Sequence, residues 1–283
     1  MEILTEQGLL KALHFLESGD PEQAQSLISS LFESDLDSKE LSYTNRCCTF
    51  WIDTFKQFDR LSNYEKGNFI LSEWKSILPF LSKNVYIYEP ALQAFNRGYF
   101  TAALKHFISM MDDKEISVKT EAFKNAGLCY KKLGDYENAR ICLSEANSLT
   151  PNNSAIIAEL ADCYALCGED RFSKVLFREA FFIDPEIIDL DFLDSELIKC
   201  LISTTQKKGY SGKTLQHWIP VYGILEGVFN VKRELNSREV CKLNQTIYAL
   251  ENEYKDPSCN AEVLVPTLLN DYFWLIDHYV LIK

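Results

Sequence analysis

Two consecutive stretches of the chain, 120–153 and 154–187, match each other residue by residue at a fixed period of 34. The positions that coincide include Tyr130 with Tyr164, Gly134 with Gly168, Ala146 with Ala180, and Pro151 with Pro185. A period of this length is typical of two-helix units. Because such a unit cannot cover its own apolar face, the period predicts an array in which neighbouring units stack.

The order of residues within each period is distinctive. In the first stretch it runs Phe123, Gly127, Tyr130, Gly134-Asp135-Tyr136, Ala139, Leu143, Ala146 and Pro151. This order resembles the tetratricopeptide repeat family, whose pattern is aromatic, Leu-Gly, Tyr, Gly-Asp-Tyr, Ala, Phe, Ala, Pro. The resemblance implies an all-α fold, a right-handed α-α superhelix with irregular helical pairs and a C-terminal helical cap.

The remainder of the chain is predicted to extend this array. Gly19, Ala24, Ile28 and Leu31 have the spacing of the second half of a repeat. The predicted organisation is a divergent N-terminal repeat at 1–38, an irregular helical pair at 39–83, a divergent repeat at 84–119, two well-formed units at 120–187, and a C-terminal helical cap at 188–283.

Glycine and proline predict helix boundaries in the first half of the chain. Pro21 suits the first turn of a helix, whereas Pro79 is expected to end or kink one. Gly98 takes the place of the turn glycine in the unit 84–119, with a short first helix starting near Pro90 before it and a second helix after it.

In the last hundred residues the 34-residue register is lost, but helical patterns continue. A helix is predicted over 219–230 with Pro220 near its start, and another over 237–254. Asn236 and Glu239 have the spacing of a capping box for the second of these helices. The apolar run 263–281 contains Asp271 and Asp277, which makes membrane insertion costly and predicts a buried helix.

The chain is acidic, with 41 Asp and Glu against 29 Lys and Arg and a formal charge of −12. Binding to nucleic acid or to an anionic membrane requires clustered Lys and Arg. The composition therefore argues against both classes of partner. It favours a basic protein partner, or simply solubility.

The nine cysteines contain no C-x-x-C pair, and a chain of 283 residues does not need disulfides to fold. Free thiols in a reducing compartment are expected. The N-terminal residues lack the pattern of a signal peptide, which predicts a cytoplasmic protein. An exported protein whose signal has been removed is the alternative.

No motif for catalysis or for a cofactor is intact. The run 207–214 resembles a phosphate-binding loop, but Lys207 stands where the first glycine is required, and an inter-helix turn is predicted instead. Cys163 and Cys167 lie one helical turn apart without further predictable metal ligands. The chain is therefore predicted not to be an enzyme and to carry no cofactor or metal, although a Cys–His pair assembled by folding stays open.

The family resemblance implies that the first helix of each unit lines a concave groove that binds a partner. The residues predicted to face this groove are Lys124, Asn125, Leu128, Lys131, Lys132, Ala158, Glu159, Asp162 and Leu166. The predicted function is a protein–protein interaction scaffold or chaperone-like adaptor that holds an extended or helical partner segment. The alternative is that these residues are solvated faces or are covered by the C-terminal helices.

One subset of the family binds the C-terminal carboxylate of a peptide with a Lys, two Asn and further basic residues. Lys124 matches the Lys, but Leu128 stands at the first Asn position and Glu159 at the second. Since Glu159 would repel a carboxylate, this departure argues against binding of chaperone C-terminal tails.

A second function is predicted from the aromatic residues of the C-terminal part. These residues are Trp218, Tyr222, Phe229, Tyr272, Phe273 and Trp274. They could close an apolar pocket over the concave face and bind a small molecule or lipid. The alternative is that they pack as the core of a helical cap.

Overall fold

A computed structural model describes residues 3–56, 58–82 and 86–282. Within these residues the chain forms thirteen α-helices and a short 3₁₀ helix, Phe58–Arg60, and no strand. The α-helices are α1 (Ile3–Ser18), α2 (Pro21–Leu31), α3 (Lys39–Phe55), α4 (Asn63–Ser82), α5 (Glu89–Ile108), α6 (Ile116–Lys132), α7 (Tyr136–Leu149), α8 (Ser154–Leu166), α9 (Asp170–Ile183), α10 (Glu196–Lys207), α11 (Gly212–Leu225), α12 (Ser237–Glu253) and α13 (Ala261–Leu281). The predicted all-α fold is confirmed.

The chain divides into two compact units, Met1–Ala146 and Asn147–Lys283.

Three helix pairs are joined by the same hydrogen-bonded turn. Gly19, Gly134 and Gly168 all adopt a positive φ, between +80° and +86°, which a residue with a side chain rarely tolerates. The amide after each glycine donates to the carbonyl five residues earlier, as in the bond from Asp135 N to Tyr130 O of 2.9 Å. This closure satisfies carbonyls at the end of the first helix and starts the second one.

In the N-terminal unit, α5 packs against α1, α3, α4 and α6. It is a single helix from Glu89 to Ile108, so the turn predicted at Gly98 is wrong. A Cβ at Gly98 would lie 2.2 Å from the carbonyl oxygen of Leu16 and 2.6 Å from the ring of Trp51. The glycine is therefore needed for close approach between helices and not for a turn.

Other predicted helix ends also differ from the structure. Helix α4 continues through Pro79 to Ser82. Helix α11 begins at Gly212, so Pro220 lies inside it and not at its start. A proline removes one amide donor without always ending a helix, because surrounding packing can hold the remaining turns in place. The capping box of Asn236 and Glu239 is confirmed at the start of α12.

The C-terminal unit contains two apolar clusters. The larger joins α8, α9, α10 and α11 around Phe177, Phe181 and Phe229, all at most 1% exposed. The smaller joins α12 to α13 around Trp274. The larger cluster is therefore shared between α8 and α9 and the helices that follow them.

Helix α13 turns several polar side chains inward. Asn270 and Asp271 are each 5% exposed, and His278 is buried as well. Among the residues that the structure describes, Oδ2 of Asp271 has no hydrogen-bond partner, and burial raises the pKa of this carboxyl to about 7. The helix was predicted to be buried, but four apolar residues in its last two turns are exposed, Ile276, Tyr279, Val280 and Leu281.

The burial of Asp271 predicts a pH dependence of stability. Because its folded pKa lies above its unfolded value of about 4, the native state holds a proton that the unfolded state releases between these values. Its contribution to stability is complete below pH 4 and is lost as the pH rises to about 7. Between pH 5 and pH 8 we expect the free energy of unfolding to fall by on the order of 2 kcal/mol relative to Asp271→Asn.

Urea unfolding of both proteins at the two pH values measures this difference. Parallel pH profiles for the wild type and Asp271→Asn would show that the carboxyl titrates normally.

Candidate functional site

The first helix of the 120–153 repeat, α6, is held beside α4 by two polar contacts one helical turn apart. The hydroxyl of Tyr64 donates to the carboxylate of Glu121. Nδ2 of Asn125 donates to Oδ1 of Asn68 over 2.8 Å. Both pairs have an i, i+4 spacing on their helices, so the pairing fixes the register of α4 against α6.

The contact between Tyr64 and Glu121 keeps the tyrosine protonated. The hydrogen bond to Glu121, together with partial burial and the negative charge of that carboxylate, raises the pKa of Tyr64. The hydroxyl therefore remains a donor at neutral pH.

The five site residues predicted on α6 have different surroundings. Asn125, Leu128 and Lys131 are buried, with Lys131 only 2% exposed. Lys124 and Lys132 are half-buried. The side chain of Lys124 makes no ion pair or hydrogen bond to any residue that the structure describes. Its ammonium group can therefore donate hydrogen bonds to a partner protein.

The four site residues predicted on α8 lie in the C-terminal unit. Ala158, Glu159 and Asp162 are buried, and Leu166 is half-buried. Ala158 belongs to the apolar cluster that also contains Ile188 and Leu193. The expectation of an open lining is wrong at Ala158 and Asp162, which are both 0% exposed.

Asp162 has a structural role that the sequence did not indicate. Its two carboxylate oxygens accept the backbone N–H groups of Asp194 and Ser195, at 2.7 and 2.8 Å. Ser195 precedes the first residue of α10. A carboxylate at a helix N-terminus satisfies free amides and interacts favourably with the helix dipole, so Asp162 anchors α10 to α8.

Sequence reasoning did not identify Tyr64 and Asn68 as neighbours of the site. They lie in 39–83, a part of the chain that does not fit the repeat register. The signal that could have found them is their i, i+4 spacing on an amphipathic helix, which matches the spacing of Glu121 and Asn125.

Residues 120–153, which form α6, α7 and the glycine turn between them, match the family model of the tetratricopeptide repeat. The chain therefore contains a tetratricopeptide repeat at these residues. Tetratricopeptide repeats generally mediate interactions between proteins. No curated protein matches the sequence of the chain.

The cysteines of the repeats are packing residues. Cys129 and Cys163 occupy equivalent positions and are both fully buried. Burial raises the pKa of the Cys129 thiol, which keeps it protonated and unreactive. In the described part of the chain, no group of three or more His, Cys, Asp and Glu side chains could hold a metal ion.

One histidine joins several parts of the C-terminal unit. Nδ1 of His217 lies 2.8 Å from Oγ1 of Thr267, and its Nε2 lies 3.3 Å from Oε1 of Glu186. The Thr267 hydroxyl donates to the carbonyl of Val263 one turn earlier. These contacts link α11 to α13.

The aromatic residues predicted to close a ligand pocket are not gathered around one cavity. Phe229 and Trp274 are buried in the two apolar clusters. Trp218 stacks on Tyr210 at 4.8 Å and lines an open cavity of about 480 Å³ beside the start of α13. The hydroxyl of Tyr272 donates to Glu251.

None of the helices in the described residues has both the length and the apolar character needed to span a bilayer.

Proposed function

We propose that this chain is a cytoplasmic, non-enzymatic scaffold that binds a segment of a partner protein on the first helices of its repeats. The tetratricopeptide repeat at 120–153 supports an interaction role.

The observation that carries this proposal is the paired surface of α4 and α6. The Tyr64–Glu121 and Asn125–Asn68 contacts hold the two helices in register before any partner arrives. Binding is stronger when the receptor surface is already ordered, because less conformational freedom is lost. Lys124 lies beside these pairs and offers an ammonium group to a carboxylate or carbonyl of the partner segment.

The groove residues proposed for binding remain Lys124, Asn125, Leu128, Lys131, Lys132, Ala158, Glu159, Asp162 and Leu166. Three of these residues are half-buried and keep part of the side chain exposed, Lys124, Lys132 and Leu166. We therefore expect these three to contact the partner segment directly. The buried members of the set would act by supporting the helices that carry them. In its more specific form, the proposal is that the scaffold acts as a chaperone-like adaptor.

Binding of a small molecule or lipid has less support. An apolar pocket needs several aromatic walls around one cavity, whereas Phe229 and Trp274 are already packed in the core.

The substitution Lys124→Glu tests the proposal. It reverses the charge of the half-buried lysine, and we expect it to weaken partner binding at least tenfold, or about 1.4 kcal/mol. The measurement is quantitative co-purification of the chain from its native cell, comparing wild type and variant by mass spectrometry.

The matched control is Lys114→Glu, an exposed lysine outside α6 with the same change of charge. A partner that is lost with Lys124→Glu and retained with Lys114→Glu supports the proposal. Identical sets of co-purifying proteins for all three chains would refute binding at this surface.

A further inference from the structure

Helix α6 is basic although the chain as a whole is acidic. It carries four lysines and one glutamate, whereas the chain has a formal charge of −12. Among the described residues, no other α-helix has so large an excess of basic over acidic residues, and α4 is balanced, with two lysines and two glutamates. The carboxylate of Glu121 is turned to α4, where it accepts a hydrogen bond from Tyr64. The charge at the α4–α6 surface therefore favours an acidic partner, in contrast to the overall composition.

Three residues form a nearly straight line along α6. Lys124, Leu128 and Lys132 follow one another at intervals of four residues, which places them on one face of the helix. This Lys–Leu–Lys line lies beside Asn125, whose side chain contacts Asn68 on α4. The two lysines are half-buried, and Leu128 is 8% exposed. Because an α-helix rises by about 1.5 Å per residue, the lysines lie about 12 Å apart along the helix axis.

The separation of the two lysines matches the repeat of an extended peptide. A strand rises by about 3.3 Å per residue and turns alternate side chains to the same side, so residues four positions apart lie about 13 Å apart on one face. Carboxylates at this spacing can each reach one ammonium group, and the residue midway between them lies over Leu128. Since side chains of α4 and α6 already meet, a helix about 10 Å wide does not fit between them, whereas an extended chain needs about half that width.

Both ammonium groups can bind a carboxylate. The side chain of Lys124 makes no ion pair or hydrogen bond to any described residue. Lys132 has a contact within this chain, but an ammonium group has three donors and can keep that contact while it binds a carboxylate. Charge-assisted hydrogen bonds are about twice as strong as neutral ones, and partial burial of both lysines reduces the screening of their charges by salt.

We propose that the partner segment at the α4–α6 surface is acidic and extended, with two side-chain carboxylates four residues apart that bind Lys124 and Lys132. This inference rests on the function proposed above, since it names the chemistry of the partner at the same surface. The recognised groups are side chains, so the segment can lie in the interior of the partner chain and does not need a free C-terminus.

Isothermal titration calorimetry of the full chain tests the proposal with a seven-residue peptide that is blocked at both ends. The peptide has glutamate at its second and sixth positions, leucine at its fourth and serine elsewhere. We expect a dissociation constant of about 100 μM or less, the range of a short peptide held by two charge-assisted contacts. Replacing both glutamates with glutamine should weaken binding at least tenfold. Moving one glutamate by one position should have a similar effect, because it turns that side chain to the opposite side of the extended peptide.

Substitutions on α6 test whether the two lysines bind the peptide. Lys124→Gln and Lys132→Gln should each weaken binding of the glutamate peptide by about fivefold or more, and raising the salt concentration should weaken it as well. Lys132→Arg, which keeps the charge, should retain binding. The matched control is Lys119→Gln, which removes the same charge from another face of the same helix, where the ammonium lies 5.9 Å from the centre of the Phe123 ring. This control should bind the peptide like the wild type.

Equal affinities for the glutamate and glutamine peptides, or no measurable binding of the glutamate peptide, overturn the inference. So does an affinity that Lys124→Gln and Lys132→Gln leave unchanged, or a loss of equal size in Lys119→Gln. The proposed function fails by a different result, a set of co-purifying proteins that Lys124→Glu does not alter. A partner that is lost with Lys124→Glu and binds through a segment without paired carboxylates would retain the function and refute the acidic class.

Discussion

Replacing Gly98 with alanine should destabilise the N-terminal unit by about 3 kcal/mol or more. The added Cβ would lie 2.2 Å from the carbonyl oxygen of Leu16 on α1 and 2.6 Å from the Trp51 ring on α3. The first of these atoms belongs to the backbone, so no rotamer change relieves the clash. Helix α5 would have to move away from two of its neighbours.

The expected loss of stability is opposite in sign to the usual effect of replacing a helix glycine with alanine. Glycine inside a helix is normally less stable than alanine by roughly 0.5–1 kcal/mol, so Gly98→Ala would stabilise a helix with open space at this position. Urea denaturation followed by circular dichroism measures the change. The control is Thr101→Ala, an exposed position on the same helix, for which we expect a change within about 0.5 kcal/mol.

An unchanged or increased stability of Gly98→Ala would contradict the close packing of α1, α3 and α5. It would also restore the interpretation of Gly98 as a turn residue in a two-helix unit.

The second large effect is expected from Arg178→Ala in the C-terminal unit, which should lose about 3–5 kcal/mol. The guanidinium is 2% exposed, donates from Nη1 to the carbonyl of Val231 over 2.8 Å and forms an ion pair with Asp277. It also stacks 4.5 Å from the centre of the Trp274 ring. Removing it leaves a carboxylate with one remaining cation, a partly buried carbonyl without its donor and a cavity beside the indole.

The matched control is Arg171→Ala, which removes an exposed arginine from the same helix, α9. A surface arginine contributes little, and we expect less than about 0.5 kcal/mol. Arg178→Lys should be intermediate, because a lysine keeps the charge but cannot donate to Val231 and Asp277 in the same planar geometry.

Equal effects of Arg178→Ala and Arg171→Ala on the urea midpoint would show that the buried ion pair does not join α9 to α13.

The 34-residue period predicts the backbone conformation correctly at positions where the repeated residue has the same structural role in each unit. Gly134 and Gly168 are turn glycines in both matched stretches, and Gly19 adopts the same conformation. Gly98 has similar neighbours in the sequence but lies inside a helix. Glycine serves both turns and close helix contacts, so the residue type alone does not distinguish them.

The candidate site was predictable only where the contacts are local. The register places Lys124 and Asn125 on the first helix of a repeat, and the structure has them on α6. The roles of Tyr64 and Asp162 depend on residues 57 and 32 positions away, respectively. Neither pairing follows a fixed period, because the segment 39–83 and the chain after Pro185 depart from the repeat.

The orientation of α13 could not be predicted because its pattern is ambiguous. Apolar residues occur all around the helix, so the hydrophobic pattern does not select one face. The core contacts of Trp274 and the pairing of Asp277 with Arg178 decide which side turns inward. Both are contacts between segments far apart in the sequence.

The central claim, that the α4–α6 surface binds a partner segment, is tested most directly by amide hydrogen exchange. The complex captured by the wild-type chain is compared with the free chain, and protection is followed peptide by peptide. We predict slower exchange along α6 around Lys124 and along α4 around Asn68, with no change of similar size in α12. Protection confined to the C-terminal unit, with α4 and α6 exchanging as in the free chain, would contradict the account.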